Sequence, residues 1–94
     1  MNGIDETLRS LGRGQVRTLL VDADAQGPGF RSAKTGRLAT GEDELRGQED
    51  ILPVLDVVDD AIEEALRQRV EVDVLYDPAA RGAIKGLAGL LRFR

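Results

Sequence analysis

The sequence predicts an α/β fold, specifically a three-layer α-β-α sandwich with a largely parallel central sheet. Residues 16–21 form a short, nearly continuous apolar run, as expected of a strand covered on both faces. Residues 86–93 are also apolar but contain two glycines, which indicates a strand with closely packed neighbours. Helical and strand patterns alternate along the chain, and this order favours right-handed crossovers with helices on both faces of the sheet. We therefore expect the terminal strand in the middle of the sheet.

The N-terminal half is predicted to contain one helix, one strand and a long irregular segment. Ile4, Leu8 and Leu11 recur at helical spacing, which predicts a helix over 3–12. The strand at 16–21 follows. Glycines and polar residues then dominate the segment 23–50, which we interpret as a long loop or a shrunken subdomain.

The C-terminal half is predicted to contain two helices and two strands. Residues 51–69 carry an apolar stripe at helical spacing, and Pro53 is acceptable if it lies in the first turn. Residues 70–75 begin with alternating apolar and acidic side chains, which is typical of a strand with one buried face. Asp77 is suited to cap a third helix over 78–85 that opens on a proline. The terminal strand follows this helix.

Composition limits the chemistry available to this chain. Its 94 residues are enough for a single domain, 1–94, without a separate catalytic lobe. The absence of cysteine and histidine excludes Ser-His-Asp and Cys-His nucleophilic sites and zinc sites built on thiolate or imidazole. A net charge of −4 disfavours nonspecific binding to nucleic acid. No apolar run approaches the ~20 residues of a membrane span. We expect a cytoplasmic protein with no enzymatic activity, no cofactor, no metal and no membrane contact.

Two groups of residues are candidate interaction surfaces. The first combines the aromatic Phe30 with three cations of the long segment, and it could contact RNA. The alternative is a solvated loop whose cations offset an otherwise acidic chain. The second group lies on the outer face of the helix 51–69, where carboxylates are more simply explained as a solvated face than as ligands of a divalent cation. The cations are Arg31, Lys34 and Arg37, and the carboxylates are Asp56, Asp59, Asp60 and Glu63.

Four stretches of this sequence together resemble a known family. They are residues 5–8 with 14–21, then 57–66, then 70–75, and finally 86–93, which reads Gly-Leu-Ala-Gly-Leu-Leu-Arg-Phe. The combination resembles the C-terminal (third) domain of the archaeal and eukaryotic class 1 peptide release factor and Pelota family, and it is most similar to the bacterial branch. The resemblance implies an α-β-α sandwich related to the fold of ribosomal proteins and kink-turn RNA binders.

The resemblance also implies a function. In full-length members this domain follows an N-terminal domain and a middle domain whose Gly-Gly-Gln loop promotes peptidyl-tRNA hydrolysis. The resemblance therefore implies a non-catalytic adaptor, or protein-interaction domain, in translation termination or ribosome rescue. Its partners would be a translational GTPase or a ribosome-associated factor, together with other domains of a parent protein. The alternative is an RNA-binding module of the kink-turn type.

The long segment has an explanation under the same resemblance. Bacterial relatives carry a zinc ribbon after the first strand, and residues 29–39 resemble its first half, with Ser32 and Thr35 at the cysteine positions. Neutral hydroxyls are poor zinc ligands, so we expect a degenerate ribbon without metal whose second half lies near 45–50. Because a loop has room and a central strand does not, we expect Gly89→Val to destabilise the fold more than Ser32→Ala.

Overall fold

The computed structural model describes residues 2–92 and contains two small β-sheets with helices packed against them. In chain order the elements are α1 (Ile4–Gly12), β1 (Val16–Asp22), β2 (Gly29–Ser32), β3 (Leu38–Ala39), a 3-10 turn (Glu42–Leu45), β4 (Ile51–Val54), α2 (Val57–Arg67), β5 (Glu71–Leu75), α3 (Pro78–Gly82) and β6 (Leu87–Leu91). The chain is thus a small mixed α/β domain. Among these residues, no helix has both the length and the apolar character needed to cross a membrane.

The main sheet has the strand order β5-β1-β6, with β1 in the centre. β1 runs parallel to β5, where Leu20 lies opposite Asp73, and antiparallel to β6, where Leu19 lies opposite Gly89. The expectation of a largely parallel sheet with the terminal strand in its middle is therefore wrong. The strand itself begins at Leu87, because Gly86 has a positive φ of 86° and turns the chain into it. The predicted last strand residue, Phe93, lies outside the described residues.

The reversed direction of β6 agrees with the length of the connection from β5, which covers residues 76–86 and includes the five-residue helix α3. Parallel strands need a crossover of about a dozen residues or more, usually through an α-helix. α3 spans about 7.5 Å, whereas a five-residue strand is about 16 Å long. A connection this short favours a β6 that starts near the end where β5 finishes and runs antiparallel to it. The predicted helix over 78–85 ends early, at Gly82.

The two longer helices share one face of the main sheet. The side-chain amide of Gln68, just after α2, donates to the backbone oxygen of Leu11 in α1 at 2.9 Å. Leu8 of α1, Ala61 of α2 and Leu19 of β1 belong to one buried cluster. The predicted sandwich with helices on both faces is therefore not confirmed.

Arg81 attaches the short helix α3 to the end of β1. Its guanidinium donates to Asp22 Oδ1 at 2.8 Å and to Asp24 Oδ2 at 2.6 Å. Burial lowers the pKa of Arg81, but the hydrogen bonds and charges of the two carboxylates outweigh this and raise it above its usual value. α3 is thus held by ion pairs, and none of its residues is fully buried.

Residues 29–54 form a second, antiparallel sheet with the order β3-β2-β4, which we call the small sheet. The segment 23–50, interpreted as a long loop or a shrunken subdomain, therefore contains β2 and β3 of this sheet, and the predicted helix start at 51 is wrong. Residues 51–54 pair with β2 as β4, and Pro53 lies opposite Phe30. The helical spacing of Ile51 and Leu55 was misleading, because residues 51–54 pair with β2, an earlier segment of the chain that no local pattern connects to them.

Gly29 joins the small sheet to the main core. A Cβ placed at this residue would lie 2.6 Å from the backbone oxygen of Ala39 and 2.7 Å from the Cβ of Val57. Leu38 of β3 extends the contact, since it is buried in the same cluster as the helices. The first turn of α2 can therefore pack directly on the backbone of β2 only because residue 29 has no side chain.

We predict that Gly29→Ala destabilises the fold by about 3 kcal/mol or more, because its methyl group would overlap backbone and Val57 atoms. Gly89→Ala is the matched control, since its added Cβ would be 3.4 Å from Val16, an ordinary contact, and we expect a change of about 1 kcal/mol or less. Urea unfolding of the purified variants measures both. Equal stabilities would contradict the close packing at Gly29.

The assumption that residue 32 has room is wrong, because Ser32 is fully buried. Its hydroxyl donates to the backbone oxygen of Glu49 at 2.8 Å and accepts from the backbone N–H of Thr35. We predict that Ser32→Ala costs about 1–2 kcal/mol of stability because it leaves these groups without a partner. Thr35→Val is the control and should cost about 0.5 kcal/mol or less, because the hydroxyl of Thr35 bonds Gln48 at an exposed position where water can replace it. Thermal unfolding distinguishes the two variants. An unchanged melting temperature in Ser32→Ala would refute the stabilising role of this hydroxyl.

Candidate functional site

Asp56 is a helix cap and not part of the predicted acidic face. Its carboxylate accepts from the backbone N–H of Val58 at 3.1 Å and from that of Gly27 at 3.2 Å. The first bond satisfies an N–H that has no partner within the helix, as expected of an aspartate before the first turn. The second fixes the chain just before β2. Asp56 therefore stabilises the junction between the small sheet and α2.

The remaining predicted acidic residues do not converge on one point. Asp60 faces the small sheet, where its Oδ2 lies 3.9 Å from the Nε of Arg31. That Nε is buried and makes no hydrogen bond, so the pair is held by charge alone. Asp59 and Glu63 are exposed. Over residues 2–92, no three acidic side chains are close enough together to hold a metal ion.

The three predicted cations lie in different parts of the fold. Arg31 points toward α2, as described above. Lys34 pairs with Glu49 at 2.8 Å in the turn between β2 and β3. Arg37 is exposed and extends along α1, where its Cγ would lie 3.5 Å from a Cβ added to Gly12. The sequence cluster around Phe30 is therefore spread over three neighbourhoods, two of which already contain a carboxylate.

Side-chain hydrogen bonds connect the end of β2 and the turn after it with the segment just before β4. Besides the bond from Ser32 to Glu49, the hydroxyl of Thr35 donates to the side-chain oxygen of Gln48 at 3.0 Å. Both contacts run from the end of β2 and the turn after it to residues 48 and 49, just before β4. Hydroxyl groups thus bridge the two segments here.

A cavity of about 190 Å³ lies between α1 and the small sheet. Part of its charged wall is paired, since Arg9 pairs with Glu44 at 3.3 Å and Asp5 accepts from the hydroxyl of Thr40. Arg13 and Arg37 also border this cavity and form no ion pair within residues 2–92. Internal polar contacts therefore cover only part of the cavity wall.

An apolar groove of about 400 Å³ also borders the small sheet. Phe30 and Pro53 are directly opposite in the β2–β4 pairing, so both side chains project from the same face of the sheet. Leu55, between β4 and α2, is 97% exposed beside them. The groove is lined by Pro28, Gly29, Phe30, Thr40, Pro53, Val54 and Leu55.

Sequence reasoning placed Phe30 among the candidates but missed the rest of this groove. Leu55 was assigned to the apolar stripe of a helix, and Pro53 to its first turn. The signal that could have corrected both was Asp56, a strong N-cap residue directly before the apolar pair Val57 and Val58. It would have moved the helix start to 57 and left 51–55 outside.

Two comparisons with known proteins found no match. No protein-family model matches the chain, and a search of curated proteins found no match either. The apolar groove, which is defined by geometry alone, is therefore the surface on which we base a functional proposal.

We predict that Asp56→Ala lowers the free energy of unfolding by about 1–2 kcal/mol, because the cap of α2 and the bond to Gly27 are both lost. Asp59→Ala removes the same charge from an exposed position and should change it by about 0.5 kcal/mol or less. Denaturant titrations of the two variants make the comparison. The cap assignment fails if both variants unfold at the same denaturant concentration.

Proposed function

We propose that this chain is a non-catalytic adaptor domain that binds a protein partner through the apolar groove. The single observation that carries the proposal is the exposure of Leu55 beside Phe30 and Pro53. Burying one leucine side chain is worth about 1.5–3 kcal/mol, so a partner that covers the groove gains substantially. Concave apolar sites of this kind are where binding anchors are usually found.

The groove is also preorganised. Phe30 lies on the central strand of the small sheet, and Gly29 beside it is packed tightly against Val57. Asp56, the residue after Leu55, accepts hydrogen bonds from the backbone N–H groups of Gly27 and Val58. A partner would therefore spend little free energy on ordering the backbone of this surface and would have to order mainly the exposed side chain of Leu55.

The partner class follows from the sequence resemblance. A release-factor-like adaptor would use the groove to contact a translational GTPase or a ribosome-associated factor, in translation termination or ribosome rescue. The rest of the parent protein would supply any catalytic loop. The RNA-binding alternative depends on Arg31, Lys34 and Arg37, two of which face carboxylates.

We predict that the purified chain binds a translational GTPase or ribosomes, and that Leu55→Asp weakens this binding by at least about tenfold. The probes are a GTP-loaded translational GTPase, purified ribosomes and a kink-turn RNA, each titrated against the immobilised chain. A charge introduced into the groove must be desolvated when the partner binds, which is the cause of the loss.

Tyr76→Asp is the matched control, because Tyr76 is a large, 74% exposed side chain outside the groove. Its binding should stay within about twofold of the unchanged chain. Equal losses of affinity in both variants would show that the groove is not the binding surface. Retention of the RNA alone would favour the kink-turn alternative, and failure to bind any of the three probes would overturn the adaptor function.

A further inference from the structure

We propose that the outer edge of β5 binds an extended peptide segment in which apolar and basic residues alternate. β5 is the terminal strand of the main sheet and pairs only with β1 in the part of the chain that the structure describes. A free strand edge presents N–H and C=O groups that another chain can pair with. This adds a second surface to the proposed adaptor and uses a different ligand, so either proposal can fail alone.

The backbone groups available at this edge can be identified. The carbonyl of Leu75 accepts from the N–H of Ala23, just beyond β1, at 3.0 Å, so the polar groups of Leu75 point toward β1. Backbone groups of successive strand residues point alternately to the two sides. Those of Glu71 and Asp73 therefore also face β1, whereas the N–H and C=O groups of Val72 and Val74 face outward. These four groups can form a ladder with an added strand.

The other described sheet edges are obstructed. Along β6, Gly3 donates to the backbone oxygen of Leu87 at 2.9 Å, and Asn2 forms a bridge with Ala88. β4 contains Pro53, which has no N–H to donate. β3 is only two residues long. β5 has five residues in continuous register, with no proline or glycine to interrupt its backbone, and its protection against self-pairing is the charge of Glu71 and Asp73.

Apolar side chains line one side of this edge. Val72 and Val74 point toward the helix layer and are only partly buried, together with Ile62 of α2. Leu66 follows Ile62 by one helical turn, on the flank of α2 opposite Asp60, and is 62% exposed. An added strand would place alternate side chains against these residues. Apolar residues at those positions would extend the core outward.

Carboxylates line the other side of the edge. Glu71 and Asp73 project from the opposite face of β5, are exposed, and form no ion pair within residues 2–92. Basic residues in the added strand would lie opposite them, where opposite charges stabilise cross-strand pairs. A second copy of β5 would instead bring carboxylates together. Charge therefore selects a basic segment of another chain over self-association.

The test uses a capped peptide of about seven residues with alternating valine and lysine, matched to the length of a typical strand. Its binding to the full chain is followed by amide hydrogen exchange. We expect exchange at Val72 and Val74 to slow by at least about tenfold, because their outward N–H groups gain acceptors. Asp73 and Leu75, whose groups already face β1, should change little. Uniform slowing, or slowing confined to the groove around Phe30, would overturn the proposal.

Charge specificity is tested by a double variant, Glu71→Lys with Asp73→Lys. It should lose at least about tenfold in affinity for the valine-lysine peptide and gain affinity for a valine-glutamate peptide. Asp59→Lys with Glu63→Lys changes the net charge equally on α2 and should alter affinity by less than about twofold. Equal effects of the two double variants would show that the peptide responds only to the net charge of the chain, and this would refute the edge site.

Strand pairing is tested by the peptide itself, so the result does not depend on a variant that must fold. A peptide of the same composition with a central proline cannot complete the ladder and should not bind. Binding of the proline peptide equal to that of the parent, no binding of either, or dimerisation of the free chain through β5 would each contradict the proposal.

Discussion

The contact between Gly29 and the first turn of α2 is the constraint on which the rest of the structure depends. Because residue 29 has no side chain, β2 can approach Val57 and Ala39 to distances that any Cβ would prevent. Leu38 enters the main core through the same junction. A segment of low apolar content is thereby covered by an existing core instead of having to build its own, which its size would not allow.

This junction also determines which charges and surfaces remain available. It brings Arg31 over Asp60, and it makes Asp56 a cap that reaches across to Gly27. Carboxylates that share one helix in sequence therefore have different roles in the fold. It also leaves Leu55 outside, in the short connection between β4 and α2, where neither element can cover it. The apolar groove is thus a direct consequence of how tightly the small sheet and the helix meet.

Local sequence patterns predicted the elements whose hydrophobic spacing in the sequence agrees with the secondary structure they adopt in the fold. The spacing of Ile4, Leu8 and Leu11 predicted α1, and the apolar run of β1 and the alternation of β5 were likewise confirmed. Residues 51–54 were assigned to the wrong element, because so short an apolar run fits a helix as well as a strand. Of the candidate site, only Phe30 was found in the groove. Its neighbours come from three separate segments, which no local pattern connects.

The sequence by itself determined the α/β class, the absence of thiol and imidazole chemistry, and the Asp77 cap of α3, since these depend on residue type and near neighbours. Tertiary structure alone decided the direction of β6, the pairing of β2 with β4 and the free edge of β5. Those features depend on which distant segments meet, and on whether a connection such as α3 is long enough to cross the sheet. Strand propensity is the same for a parallel or an antiparallel neighbour, so only the packed chain distinguishes them.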